Sequence, residues 1–208
     1  MIARLSFGAP FAYSTRGQSD ISIKSRRLRD RIKRGDPELI AQIADHVADL
    51  VASGTFVDFF GSDVTLIPVP GHAPLVAGAV GTTQRIAVSL RSRNLAAEVV
   101  PLLERTMLVS KSAFSKPPDR PRAIDHYNSL GIRGTLLTPR RILFIDDFVT
   151  RGATLIGAAS RVSEAFPGTP MSAFALVRSI TEGDVVTIRD PRVGTIEVGA
   201  DGETRRRP

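Results

Sequence analysis

Residues 142–154, with the sequence ILFIDDFVTRGAT, constrain the fold of this chain more than any other segment. The first four form an apolar run without alternation, which is typical of a parallel strand covered on both faces. Two acids follow, and a short polar loop then leads into residues 155–166, whose apolar positions have helical spacing. Another apolar run begins at Met171. This order of strand, loop, helix and strand predicts a doubly wound α/β fold with a mainly parallel sheet flanked by helices.

The polar loop at residues 150–154, here named the phosphate loop, suits an anion. Ligands of open parallel sheets bind at the carboxyl ends of the strands, where this loop would lie. Backbone N–H groups at a helix N-terminus, a glycine and two threonine hydroxyls would all contact a phosphate. The two preceding acids, here named the acid pair, would accept hydrogen bonds from sugar hydroxyls or hold Mg²⁺, directly or through water. A ribose 5-phosphate would satisfy both halves through Asp146, Asp147, Thr150, Arg151, Gly152, Ala153 and Thr154.

The composition limits the class of protein. The chain has 208 residues and an apolar fraction of 42%, enough for one or at most two domains with a buried core. It has no cysteine, and its three histidines lack metal-ligand spacing, so any metal should be bound by oxygen. No apolar run approaches the roughly 20 residues of a membrane span, and residues 1–10 lack a signal-peptide layout. We therefore expect a soluble, cytoplasmic protein without a membrane partner.

The charge favours an anionic partner. The 28 basic and 21 acidic residues leave a net charge of +7, which suits phosphate compounds or nucleic acid. Seven of the cations lie in residues 23–34, IKSRRLRDRIKR, here named the basic run. Its thin apolar stripe predicts a helix. The cations are interpreted either as a solvated face or as a nucleic-acid contact.

The chain is expected to have three parts. Residues 1–60 would form a basic helical segment packed on the core, and residues 61–180 would form the α/β domain. Within that domain, residues 110–135 are polar, basic and rich in proline, which predicts a long loop or an irregular subdomain. Residues 181–208 would form a C-terminal extension with a β-hairpin and a basic tail.

Local signals predict two further elements. Asp36, followed by Pro37, is a typical helix start, and the apolar positions after it keep helical spacing until Gly54. Residues 98–108 are apolar enough for a strand, with Pro101 near its start.

The string of apolar strand, two acids, two apolar positions and Thr-x-Gly-x-Thr resembles the signature of the type I phosphoribosyltransferases. Its surroundings look most like the competence-associated ComF-like branch of that family, and the resemblance covers residues 64–178. Pro68-Val69-Pro70, with Gly71 and His72, is similar to a Pro-Val-Pro strand end in that branch. His126-Tyr127-Asn128 is similar to a later basic stretch with an asparagine.

The chain also departs from the family. Arg151 stands where threonine is common, and Phe148 is bulkier than the usual branched aliphatic residue. The cysteine-rich zinc segment at the front of many ComF-like proteins is absent, and the basic N-terminal segment stands in its place. Partners are therefore not carried over from that branch.

The resemblance implies an enzyme that displaces diphosphate from C1 of 5-phosphoribosyl 1-diphosphate (PRPP) with a nitrogen nucleophile. Asp146 and Asp147 would hold the ribose hydroxyls, and Mg²⁺ would bridge ribose and diphosphate oxygens. The phosphate loop would bind the 5-phosphate. Val69, Pro70, Gly71 and His72, here named the diphosphate loop, would bind the leaving group.

The basic residues of the predicted subdomain are candidates for a hood. From their position and charge, they would close over the diphosphate and exclude water that hydrolyses the donor. A solvated linker is the alternative for this stretch. The candidate hood residues are Lys111, Lys116, Arg120 and Arg122.

Two other functions fit the same residues. A PRPP-sensing protein would keep the site without turnover, and a nucleic-acid-binding regulator or DNA-uptake accessory would use the basic N-terminal segment. Mg²⁺-dependent release of diphosphate from PRPP distinguishes the enzyme from both. A homo-oligomer is compatible with all three.

Overall fold

The computed structural model describes residues 1–76, 78–109, 120–134, 138–180 and 183–207, and every structural statement refers to these residues. Seven strands form one sheet in the order β3-β2-β6-β7-β1-β8-β9, and β4 pairs with β5 in a second, small sheet. The elements are β1 (Arg4–Ser14), α1 (Asp20–Lys33), α2 (Pro37–Ala52), β2 (Gly61–Pro68), α3 (Thr82–Arg91), β3 (Ala96–Val99), β4 (Leu103–Arg105), α4 (Ala123–Asn128), β5 (Leu130–Ile132), β6 (Arg141–Val149), α5 (Ala153–Ala165), β7 (Met171–Ile180), β8 (Arg189–Val198) and β9 (Thr204–Arg207).

The large sheet is mainly parallel. The five strands from β3 to β1 are parallel to one another. β8 is antiparallel to β1, and β9 is antiparallel to β8. β6 lies between β2 and β7, and residues 142–145 are fully buried, as their continuous apolar run predicts. The predicted α/β fold with a mainly parallel sheet is therefore confirmed.

Apolar cores cover both faces of the sheet. On one face, α1, α2 and α3 pack side chains such as Ile32 and Ile86 against Leu143. On the other face, α4 and α5 pack Ala123 and Val162 against a second set of strand residues. In the described part of the chain, none of the helices is long and apolar enough to cross a membrane.

The N-terminal segment differs from the prediction of a helical segment, because it begins with a strand inside the sheet. β1 lies between β7 and β8, and both of its faces are covered. Pro10 interrupts the pairing with β8, and the register shifts between Ala9 and Phe11. The prediction was wrong here because the proline and the polar start of the strand obscure the apolar pattern.

The two predicted N-terminal helices are confirmed. The basic run forms most of α1, and the amphipathic segment forms α2. The side chain of Asp36 caps α2 by accepting a hydrogen bond from the backbone N–H of Leu39 at 3.1 Å. The end of α1 lies near the carboxyl end of β6, as the contact between Lys33 and Asp147 shows.

The strand predicted at residues 98–108 is in fact two strands. β3 pairs with β2 in the large sheet, and β4 pairs with β5 in the small one. Pro101 lies between them and has no backbone N–H, so one continuous ladder is unfavourable. The predicted hood region also has regular structure, since α4 and β5 lie in residues 120–134.

The predicted C-terminal hairpin is present. β8 and β9 pair antiparallel, from Thr195 opposite Arg207 to Val198 opposite Thr204. β8 also pairs with β1, so the hairpin extends the large sheet. It thereby brings Glu203 and Ile196 next to the phosphate loop.

Candidate active site at the carboxyl ends of β2 and β6

The acid pair lies near the carboxyl end of β6. The backbone N–H of Asp147 donates to Oδ1 of Asp146 at 2.8 Å. Burial, together with the neighbouring charge of Asp147, raises the pKa of Asp146 to about 8. At neutral pH the carboxyl of Asp146 is therefore mostly protonated.

Lys33 contacts the acid pair from the last turn of α1. Its Nζ lies 2.7 Å from Oδ2 of Asp147 and 4.8 Å from the centre of the Phe148 ring. The side chain of Asp147 is only 14% exposed, so water screens this ion pair less than a surface pair. Sequence reasoning missed Lys33 because 114 positions separate it from Asp147.

Other cations of the basic run also make contacts within the protein. Together with Lys33, they account for four of the seven cations of the run. These contacts favour a structural role for the run over a nucleic-acid contact. Arg26 donates to the carbonyl oxygens of Ser14 and Gly17, Arg29 to the hydroxyl of Tyr13 and to Asp30, and Arg31 to Asp36.

The phosphate loop joins β6 to α5. Gly152, the residue before the helix, has a φ of 87°, and no described side chain caps the first turn of α5. Backbone N–H groups at such a helix start suit an anion, and the helix dipole favours negative charge there. A small, open cleft of about 20 Å³ lies over the loop, lined by Asp146, Phe148, Val149, Thr150, Arg151, Gly152, Ala153, Thr154 and Leu155.

Arg151 of the phosphate loop is held by the C-terminal hairpin. Its guanidinium forms an ion pair with Glu203, which also lies 3.0 Å from Nε of Arg122. The predicted hood residue Arg122 therefore lies beside the phosphate loop. Two arginines share one carboxylate here, so this cluster keeps a net positive charge.

The diphosphate loop lies next to the acid pair because β2 and β6 are neighbours. Pro68 is opposite Ile145, and the backbone N–H of Val69 donates to the carbonyl oxygen of Ile145 at 2.9 Å. The hydroxyl of Thr83, in α3, donates to the carbonyl oxygen of Val69 at 2.8 Å. The sheet therefore brings the two predicted anion loops to one edge.

Arg105 sets the orientation of the diphosphate loop from β4. Its Nε donates to the carbonyl oxygen of Gly71 at 2.8 Å, and a terminal nitrogen donates to that of Pro70 at 3.3 Å. All described peptide bonds are trans, so C=O and N–H point in opposite directions. The N–H groups of Gly71 and His72 consequently point away from Arg105.

Arg105 is a buried cation beside the acid pair. Its residue exposure is 5%, and burial lowers its pKa to about 10, which leaves the guanidinium charged at neutral pH. The interaction with Asp146 acts in the opposite direction and raises the pKa of Arg105. Two cations, Lys33 in contact with Asp147 and Arg105 interacting with Asp146, therefore act on the acid pair, an arrangement that suits an anionic ligand. Sequence reasoning missed Arg105 because only the pairing of β4 with β5 places it there.

The donor set for a divalent cation consists of the two carboxyl groups of the acid pair, and a bound cation would displace the proton of Asp146. Within the described ranges, no three His, Asp or Glu side chains form a group that could hold a metal ion. Mg²⁺ is commonly bound through one or two carboxylates together with substrate phosphates. The residues present therefore fit Mg²⁺ that arrives with a diphosphate better than a resident ion.

The remaining predicted site residues lie in different places. Lys111 and Lys116 lie outside the described residues. Arg120 begins the segment that contains α4, and His72 accepts a hydrogen bond from the N–H of Val109 through its carbonyl oxygen. His126 is buried in α4 against the phosphate loop, with its Nε2 3.3 Å from the hydroxyl oxygen of Thr154.

Asp146 should make the stability depend on pH. Its pKa is raised from an ordinary value near 3.8 to about 8, so between those limits the folded state binds a proton that the unfolded state has lost. Raising the pH through this window should therefore destabilise the fold. We expect the Tm of Asp146→Asn to fall less between pH 5 and pH 8.5 than that of the wild type, measured by thermal unfolding.

The control for this prediction is Asp45→Asn on α2. A hydrogen bond from Arg93 holds the pKa of Asp45 below its ordinary value, so this group titrates below the window. The control should keep the pH slope of the wild type. Equal slopes for Asp146→Asn and the wild type would mean that Asp146 is ionised in the folded protein.

Comparison with known proteins gives no family assignment, because no protein-family model and no curated protein sequence matches the chain significantly. What the arrangement can do chemically follows from its geometry. It combines a helix N-terminus, a second loop with oriented N–H groups, two carboxyls and two flanking cations at one edge of the sheet. These groups suit an anionic ligand.

Proposed function

We propose that this protein binds PRPP at the edge formed by β2 and β6 and transfers its phosphoribosyl group to a nitrogen acceptor. One observation supports the proposal: the diphosphate loop follows β2, the acid pair and the phosphate loop follow in β6 and after it, and these two strands are paired neighbours. PRPP has two anionic ends, the 5-phosphate and the 1-diphosphate, which are separated by a ribose. The resemblance of residues 64–178 to type I phosphoribosyltransferases supports the same ligand.

The residues have separate tasks in this reaction. The phosphate loop binds the 5-phosphate, and Asp146 and Asp147 orient the ribose through its 2- and 3-hydroxyls. The acceptor nitrogen forms a bond to C1 while the bond from C1 to the diphosphate oxygen breaks. The electron pair of that bond leaves with the diphosphate, and the acceptor nitrogen then loses its proton to water.

Electrostatic stabilisation of the leaving group is the main help that this site offers. In this proposal the N–H groups of the diphosphate loop, oriented by Arg105, and the cation of Lys33 would stabilise the negative charge that develops on the diphosphate. Mg²⁺, when bound, supplies further neutralisation of the diphosphate. Holding both ends of the ribose fixes the position of C1 for attack.

The first test is thermal unfolding with PRPP and Mg²⁺. At 100 times Kd, binding adds about 2.7 kcal/mol, which raises the Tm by about 5–10 °C for a domain of this size. We expect the double variant Asp146→Asn, Asp147→Asn to lose this rise. The double variant Asp49→Asn, Asp58→Asn makes the same side-chain changes at exposed positions and should keep the rise.

The second test is release of diphosphate from PRPP in the presence of candidate nitrogen bases. Mg²⁺-dependent release that the acid-pair variant lacks supports the transferase. Stabilisation by PRPP without release would instead support a PRPP sensor. A wild type that is folded but unaffected by PRPP would contradict the proposed site, and single-stranded DNA binding with a steep salt dependence would then favour the nucleic-acid alternative.

A further inference from the structure

His126 is buried against the phosphate loop but has no place in the reaction above. It belongs to α4, which packs directly on α5 at Gly157. A Cβ atom on Gly157 would lie 2.7 Å from the carbonyl oxygen of Ala123 and 2.7 Å from Cβ of His126. Glycine at this position therefore lets the two helices approach closely enough to bring the imidazole to Thr154.

The imidazole is neutral at physiological pH. Burial, together with the charge of Arg105, lowers the pKa of His126 to about 4. A neutral imidazole has one N–H donor and one lone pair on its two ring nitrogens. The position of that single proton determines what His126 does to Thr154.

The surroundings of the ring select one tautomer. Nε2 lies 3.3 Å from the hydroxyl oxygen of Thr154, whereas Nδ1 is buried and has no hydrogen-bond partner among the described residues. An orphaned buried N–H is rarer in proteins than an under-satisfied acceptor. The proton is therefore better placed on Nε2, with the lone pair on Nδ1.

We infer that His126 is a positioning residue for phosphate binding: its Nε2–H donates to the hydroxyl oxygen of Thr154, which frees the hydroxyl hydrogen to donate to a phosphoryl oxygen. In the opposite tautomer, Thr154 would donate to His126 and present lone pairs to the anion. This inference rests on the proposed function, since it assigns a role in the binding of the 5-phosphate. It adds a residue from outside the phosphate loop to that site.

The tautomer is tested directly by nitrogen-15 NMR of the imidazole rings in the full-length wild type. The chain has three histidines, so the signals are assigned by comparison with His46→Gln and His72→Gln. We expect His126 to show a protonated Nε2 and an unprotonated Nδ1 at pH 7, with and without ribose 5-phosphate. A protonated Nδ1, or a doubly protonated ring, would overturn the inference.

Binding of ribose 5-phosphate, measured by calorimetry, tests the consequence. His126→Leu should weaken binding about tenfold, the effect of about 1.4 kcal/mol from one lost hydrogen bond. His126→Gln keeps an N–H donor on a side chain that can reach Thr154, so it should stay within about threefold of the wild type. The double variant His126→Leu, Thr154→Val should bind no more weakly than Thr154→Val alone, because His126 acts through that hydroxyl.

The outcomes separate the two proposals. A folded wild type that does not bind ribose 5-phosphate overturns the proposed function and with it the role of Thr154. Equal binding by the wild type and His126→Leu overturns the role of His126 alone. Additive losses in the double variant would show that His126 does not act through Thr154, and would also overturn the inference.

Discussion

Gly152→Ala is expected to destabilise the protein by about 2–5 kcal/mol and to abolish binding of ribose 5-phosphate. Gly152 has a φ of 87°, where an alanine costs about 1–2 kcal/mol. In addition, a Cβ atom would lie 2.6 Å from two carbon atoms of the fully buried Ile196, in β8. Relief requires the loop or the hairpin to move, at a cost of about 1–3 kcal/mol. Urea unfolding and calorimetry measure the two effects.

Gly168→Ala is the matched control for this prediction. Gly168 follows α5 with a φ of 80°, and a Cβ atom there would have nothing within 4 Å. This variant therefore measures the backbone strain without the contact, and it should bind ribose 5-phosphate normally. If Gly152→Ala costs no more than Gly168→Ala, the hairpin does not pack tightly under the phosphate loop.

The double variant Gly152→Ala, Ile196→Ala tests whether the strain comes from the contact between these two residues. Ile196→Ala alone should cost about 2–5 kcal/mol, because it removes a fully buried side chain. Combined with Gly152→Ala, it removes the close contact, so the double variant should cost less than the sum of the two single changes. Additive costs would show that Ile196 and the loop are independent.

Arg105→Met is expected to cost about 2–4 kcal/mol of stability and to weaken PRPP binding more than ribose 5-phosphate binding. The guanidinium donates to the carbonyl oxygens of Pro70 and Gly71 and to the hydroxyl of Ser129. Methionine preserves much of the buried volume but leaves these acceptors unpaired. The diphosphate loop then loses its orientation, whereas Arg105 donates no hydrogen bond to the phosphate loop in the part of the chain that the structure describes. Calorimetry with both ligands measures this difference.

The control for Arg105 comes from the paired strand. Arg133 lies just after β5 and pairs with Glu104, but its side chain is 57% exposed. Arg133→Met should therefore cost no more than about 1 kcal/mol and leave both ligands unaffected. Arg105→Lys should fall between the wild type and Arg105→Met, because an ammonium cannot reproduce the fork of the guanidinium. Equal weakening of both ligands by Arg105→Met would contradict a specific role in diphosphate binding.

The segments that could be predicted from the sequence are those whose signals are contiguous. The buried strand of β6, the loop after it and α5 follow from an apolar run, a polar stretch and helical spacing in consecutive residues. The cap at Asp36 and the C-terminal hairpin were predicted for the same reason. β1 was missed because its place between β7 and β8 depends on pairing with distant segments, and Pro10 breaks its pattern.

The sequence by itself therefore determined the chemistry at the end of β6, the acid pair and the phosphate loop, since strand propensity, helix start and residue type act locally. Only the tertiary structure decided which side chains surround them. Lys33 and Arg105 join this site, and His126 meets Thr154, across 114, 34 and 28 positions of the chain. Such contacts are set by strand order and helix packing, because these place distant segments at one edge of the sheet.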